Sequence, residues 1–309
     1  MIPLILAMLL GSVIPRAQRV EVSTIPHLLV GSQGGGSDGP KILRYNLTSG
    51  AYDGLFADHG LSGLDPLGMT IGPDQNLYVV VGNGVSVNEV RRYNGATGAS
   101  MGVFAKDGGM QGPANVVFGP DGNLYVSSFN NGKVIRFHGK TGAYMGVFAH
   151  GGGLETPRGL AFGPDGNLYV VDYNRAAVVR YKGSNGAYKD TFVPKGSAGL
   201  GSPSDLKFGP DGNLYVTGGS IGGRIGVFRF DRHTGKFIDL FVSLPDTMAP
   251  IDLVFTPQGY LYITVQGEKG GVMVCNATTG KGLKRLVREG AGGGSGGLQN
   301  AFGLAYDPS

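Results

Sequence analysis

"GLAFGPDGNLYVVDYNRAAVVRY", residues 159–181, decides the fold of this chain. "GLAF" is a short apolar strand, "GPDG" a tight turn set by Pro164 and Gly166, "NLYVVD" a second strand and "AVVRY" a third. A turn ending at Gly186 leads to "AYKDTF", a fourth. The turn motif recurs in register: "IGPDQNLYV" has its Gly at 72, "FGPDGNLYV" at 119, 163 and 209, and "FTPQGYLYI" has Thr256 in that slot. The spacings are 47, 44, 46 and 47 residues. Four β-type runs in a unit of this length make one blade of a propeller.

Counting strand types predicts how the ring closes. Second, third and fourth strands occur six times, beginning with "HLLVG", "KILRY" and "AYDGLF", which no first strand precedes. "NAFGLAYDPS", residues 300–309, matches "PRGLAFGPD" and supplies the missing innermost strand. The expected fold is all-β, a six-bladed propeller of four antiparallel strands per blade over residues 25–309, closed by pairing of the two chain ends.

Composition agrees. Glycine makes up 58 of 309 residues, about 19% against a usual figure of about 7%, and each Gly inside a helix costs roughly 1 kcal/mol relative to Ala. Collagen is excluded, because the glycines cluster and Pro numbers only 17. The net charge of +4 is dispersed apart from "KGLKRLVREG", so no nucleic-acid footprint is visible. One cysteine, Cys275, allows no internal disulfide and no Cys-rich zinc site. Residues 2–14 form an apolar run too short to span a bilayer; residues 1–17 read as a signal peptide, which places the mature chain in a secreted or periplasmic setting without a stable membrane span. A monomer is expected.

"GLAFGPDGNLYVVDYNRAAVVRY" resembles an NHL repeat, and the chain beyond the leader resembles the six-bladed NHL and streptogramin lyase-like (virginiamycin B lyase-like) propellers. The resemblance implies the fold. These superfamilies include scaffolds, binding modules, lyases and lactonases, so activity does not follow from it.

Residues present in nearly every blade serve folding: Pro73, Pro120, Pro164 and Pro210 set turns, and Tyr78, Tyr125, Tyr169, Tyr215 and Tyr262 fill space between blades. The recurring Arg44, Arg92, Arg136, Arg180 and Arg229 could form an anion-binding ring, but are expected to alternate outwards or lie over neighbouring aromatic rings. Asp172 and the pair Asn130 and Asn131 are expected to tie the loop that follows their strand. A single site on a pseudo-symmetric ring must be built from residues that differ between blades.

Two residues after the aligned Pro, the six copies read Gly68, Asn115, Gly159, Asp205, Asp252 and Gly303, with Arg158 just before Gly159. Innermost strands converge on the axis, so Asp205, Asp252 and Asn115 would meet there. Two carboxylates and an amide oxygen suit calcium or magnesium. The resemblance to gluconolactonase-type propellers implies a similar Glu, Asn and Asp set, although the Glu has no clear counterpart in this chain. The opposing reading is local: Asp and Asn bond to their own turns, and Arg158 or Lys207 neutralises the acids.

Lyases of this fold use His on the innermost strands, and those strands hold none here. Of the histidines, His59 and His150 fall in inter-blade loops. Two functions follow: a module that binds a small molecule or a protein or peptide through the channel mouth, or a metal-dependent lyase or lactonase with the cation at Asp205, Asp252 and Asn115, aided by His150 or Arg158. RNA binding, known for some NHL domains, conflicts with the leader and the dispersed charge.

Overall fold

The computed structural model describes residues 26–34, 39–58, 61, 63–82, 87–220, 223–290 and 294–308. The proposed signal peptide and His59 lie outside them. The described residues form six antiparallel sheets with only two 3-10 turns and no helix long and apolar enough to cross a membrane.

From the axis outwards, blade one consists of Ala301–Asp307, His27–Ser32, Lys41–Asn46 and Tyr52–Ala57. Blade two is Asp65–Ile71, Leu77–Gly82, Asn88–Tyr93 and Ser100–Lys106, and blade three Pro113–Phe118, Leu124–Ser128, Lys133–Phe137 and Tyr144–His150. Blade four is Pro157–Phe162, Leu168–Asp172, Ala177–Tyr181 and Tyr188–Val193. Blade five has Leu206–Phe208, Leu214–Ser220, Ile225–Phe230 and Phe237–Leu244, and blade six Met248–Phe255, Tyr260–Gly267, Gly271–Asn276 and Lys284–Arg288. The expected closure is therefore present: Ala301–Asp307 pairs with His27–Ser32, joining Leu304 to Val30 and Asp307 to His27.

The blades hold together through the repeated aromatics. Tyr78 packs edge-on against Phe104 of its own blade and Phe118 of the next at 4.8 and 4.9 Å, and Tyr125, Tyr169 and Tyr215 repeat the arrangement. Each Tyr hydroxyl donates to the Asp of the "PD" turn, Asp74, Asp121, Asp165 or Asp211, so a buried phenol keeps a partner. Arg92, Arg136, Arg180 and Arg229 lie over rings as expected, whereas Arg44 pairs with Asp53. Arg180 sits over Phe192 at 4.6 Å with a two-pronged bond to Asp190, and Arg229 over Phe241 at 5.0 Å with the same bond to Asp239. They are internal braces and leave no ring of free cations.

A second inter-blade contact depends on glycine. The turn before each fourth strand places Gly142 at φ +70, where an added Cβ would lie 1.7 Å from the Phe104 carbonyl oxygen of the preceding blade; Gly98, Gly186 and Gly235 meet Phe56, Phe148 and Phe192 alike. Gly142→Ala is expected to cost at least about 2 kcal/mol, from the left-handed backbone and the clash together. Chemical denaturation measures it; an unchanged midpoint would refute this contact.

Candidate functional site

The innermost strands are not regular. Pairing with the second strand slips between Pro66 and Met69, Pro113 and Val116, Pro157 and Leu160, and Pro250 and Leu253. In blade five the interruption splits the strand into Leu200–Gly201 and Leu206–Phe208, both on Leu214–Ser220. A bulge redirects the residues inside it, and those residues are Gly68, Asn115, Gly159, Asp205 and Asp252. Glycine alternates with the polar residues for lack of room. A Cβ on Gly68 would fall 2.5 Å from Asn115 Oδ1, and one on Gly159 would clash with the Asp205 carboxylate.

The structure brings Asn115, Asp205 and Asp252 to the axis, together with Lys207. The Asn115 amide nitrogen donates to Asp205 Oδ1 at 2.9 Å, and its Oδ1 accepts the Val116 N–H at 2.7 Å. Lys207 Nζ bonds to Asp205 Oδ2 and lies 3.8 Å from Asp252 Oδ1. Asp252 also accepts the N–H groups of Leu253, at 2.7 Å, and of Leu304 across in blade one, at 3.0 Å.

Each of these polar residues has a hydroxyl beneath it. Ser127, Thr217 and Thr264 accept the backbone N–H of Asn115, Asp205 and Asp252 at 2.9, 2.8 and 3.0 Å. They take one slot of the second strand, filled by Val80 in blade two and Val171 in blade four, where the axial residue is Gly. The signal in the sequence is the match between a hydroxyl in this second-strand slot and a polar residue on the first strand of the same blade.

Asp205 and Asp252 are 2% and 4% exposed. The Lys207 side chain keeps 30% of its surface accessible. Burial alone would lower its pKa, but the charges of Asp205 and Asp252 outweigh this and hold the ammonium above its usual value. Burial, then the Asp205 charge, raises the Asp252 carboxyl well above its ordinary value.

The cavity enclosed by this ring is about 10 Å³, room for one water. The residues do not fit a divalent ion as arranged: the Asn115 oxygen serves a backbone N–H, both Asp252 oxygens do likewise, and Lys207 supplies the cation to Asp205. Among the described residues no group of three or more His, Cys, Asp or Glu side chains is placed to hold a metal.

His150 ends the exposed outermost strand of blade three, three strands from the axis, and does not join Arg158. Arg158 lies at the channel mouth, its guanidinium 5.0 Å from the Tyr173 ring and 5.5 Å from that of Phe302 on the facing blade. Burial lowers its pKa, an effect that Tyr173 and Asp205 oppose. Beside it opens a cleft of about 290 Å³ between blades four, five and six, lined by Arg158, Tyr173, Ser202, Met248, Ile251 and Gln266, with Asp246 at the edge. Asp172 accepts the N–H of Arg175 in the turn after its strand, as expected, and also that of Glu155 in the loop before its blade, while Asn131 donates to the Gly109 carbonyl in the preceding loop instead of the following one. Burial pushes the Cys275 thiol up to about 12, far from reactive.

Comparison with protein-family models finds no match, and neither does comparison with curated proteins. Solved structures do match. A chain of a nidogen and laminin complex superposes with a TM-score of 0.70 at 16% identity, over 91% of this chain and 98% of that one. This chain has the six-bladed propeller fold. A Bacteroides caccae protein of unknown function matches the propeller with a TM-score of 0.64 at 14% identity, over 93% and 100% of the two chains. A putative oxidoreductase (glucose dehydrogenase) from Thermus thermophilus matches at 0.54 and 20% identity, over 77% and 86%. At such identities the likeness carries the fold and no activity.

Proposed function

We propose that the protein is an exported propeller that binds a small molecule or the end of a peptide at its channel-mouth face, without a metal. The observation that carries this reading is the contrast at that face. The axis is filled by the neutralised cluster of Lys207, Asp205, Asp252 and Asn115, and a cleft of about 290 Å³ stands open beside it. Clefts close to this size hold small ligands. A nidogen and laminin complex contains the same fold, which is compatible with an interaction role.

Calorimetric titration of chelator-treated protein with calcium and with magnesium tests the reading, with a melting curve at each end point. No heat and no thermal shift are expected. Micromolar binding with a raised melting temperature would instead favour a metal-dependent lyase or lactonase at the axis, with the dication displacing Lys207.

A further inference from the structure

Arg158 differs from Arg92, Arg180 and Arg229, each of which lies over a ring and faces an acid. Arg180 and Arg229 also lie against aromatic rings, and each is neutralised by a two-pronged bond to Asp190 or Asp239. Arg158 has its two rings, Tyr173 and Phe302, but no hydrogen bond or ion pair among the described residues. Asp205, the nearest buried carboxylate along the ring, is already bonded to Asn115 and Lys207. Stacking covers the faces of a guanidinium and leaves its in-plane N–H groups, which are shaped for a carboxylate. None of its nitrogens is sealed off from solvent, so a ligand in the neighbouring cleft can supply the acceptors.

The cleft beside it has the matching features. Tyr173, Met248 and Ile251 give apolar wall, and Gln266 and Ser202 give polar positions. Ser202 is held at φ +42, a strained backbone for a residue other than glycine, and such strain gathers at ligand sites. Asp246, exposed at the edge, disfavours a second negative charge on the ligand.

We infer that the cleft takes a monocarboxylate with an apolar body, the carboxylate held by Arg158 between Tyr173 and Phe302. This rests on the proposed binding role and names the ligand class for it.

Benzoate and its neutral counterpart benzamide are suitable probes, followed by amide NMR shifts on the purified protein and on the Arg158→Gln and Arg158→Lys variants. Benzoate is expected to shift Ser202 and Gln266 and to bind about tenfold or more tightly than benzamide, the worth of a charged hydrogen bond. Arg158→Gln should erase that difference with the melting temperature kept. Arg158→Lys, which keeps charge but not the planar fork, should fall between and serves if the Gln variant fails to fold. Equal binding of both probes, unaffected by either variant, would overturn the carboxylate assignment and leave the cleft as a binding site. Absence of binding by both, at about tenfold above a millimolar Kd, would overturn the assignment and the binding role together.

Discussion

Replacing Lys207 by Met is expected to lower folding stability by about 3–5 kcal/mol at pH 7, the usual cost of removing one partner from a buried ion pair. Asp205 and Asp252 are almost wholly buried, and Lys207 is the cation that reaches both. The pH dependence carries a sign. Asp252 has a folded-state pKa raised well above its ordinary 3.8, so its contribution is fully present below that value and is lost as pH rises toward the raised one. Without Lys207 the carboxyl shifts further up, so the penalty should be small near pH 4 and grow toward pH 7. Lys207 itself, raised above 10.5, contributes in full below 10.5 and loses that contribution as the pH rises from there through the raised value. Denaturation of Lys207→Met alone and combined with Asp205→Asn and Asp252→Asn separates charge from packing. The combination should recover most of the loss. An equal penalty at pH 4 and pH 7, or no recovery, would show that charge imbalance is not what Lys207 prevents.

Deleting residues 301–309 is expected to abolish cooperative unfolding. The strand Ala301–Asp307 is the innermost strand of blade one, and Ala301, Leu304 and Ala305 are at most 4% exposed. Its loss uncovers one edge of His27–Ser32 and leaves Asp252 without the Leu304 N–H and Thr264 without the Phe302 carbonyl. An open ring presents unpaired strand edges, which favour association over folding. Far-UV circular dichroism during melting, with gel filtration, reads the outcome. A single transition within about 1 kcal/mol of the full chain would mean that the closing strand is dispensable.

The position of the closing strand was legible because "NAFGLAYDPS" repeats the first-strand pattern and the "HLLVG" strand lacks a first strand of its own. The ring of Gly68, Asn115, Gly159, Asp205, Asp252 and Gly303 was legible for the same reason: equivalent positions on a closed ring face one axis. What those residues do there was not. Whether Asp205 and Asp252 hold a dication or a lysine depends on where the Lys207 ammonium travels, and periodicity does not fix a side chain that long. His150 shows a similar limit. It is near Arg158 along the chain, yet it ends an outermost strand, so the width of a blade separates the two.

The sequence by itself determined the blade, the number of blades, their closure and the residues that reach the axis. Each follows from a local pattern repeated in register, and repetition averages out the ambiguity of any single strand. Only the tertiary structure decided that bulges turn Asn115, Asp205 and Asp252 inward, that glycines on the adjoining blades leave them space, and that Arg158 meets Phe302 from the facing blade. Those contacts join residues far apart in the chain that come within a few ångströms only when the ring closes.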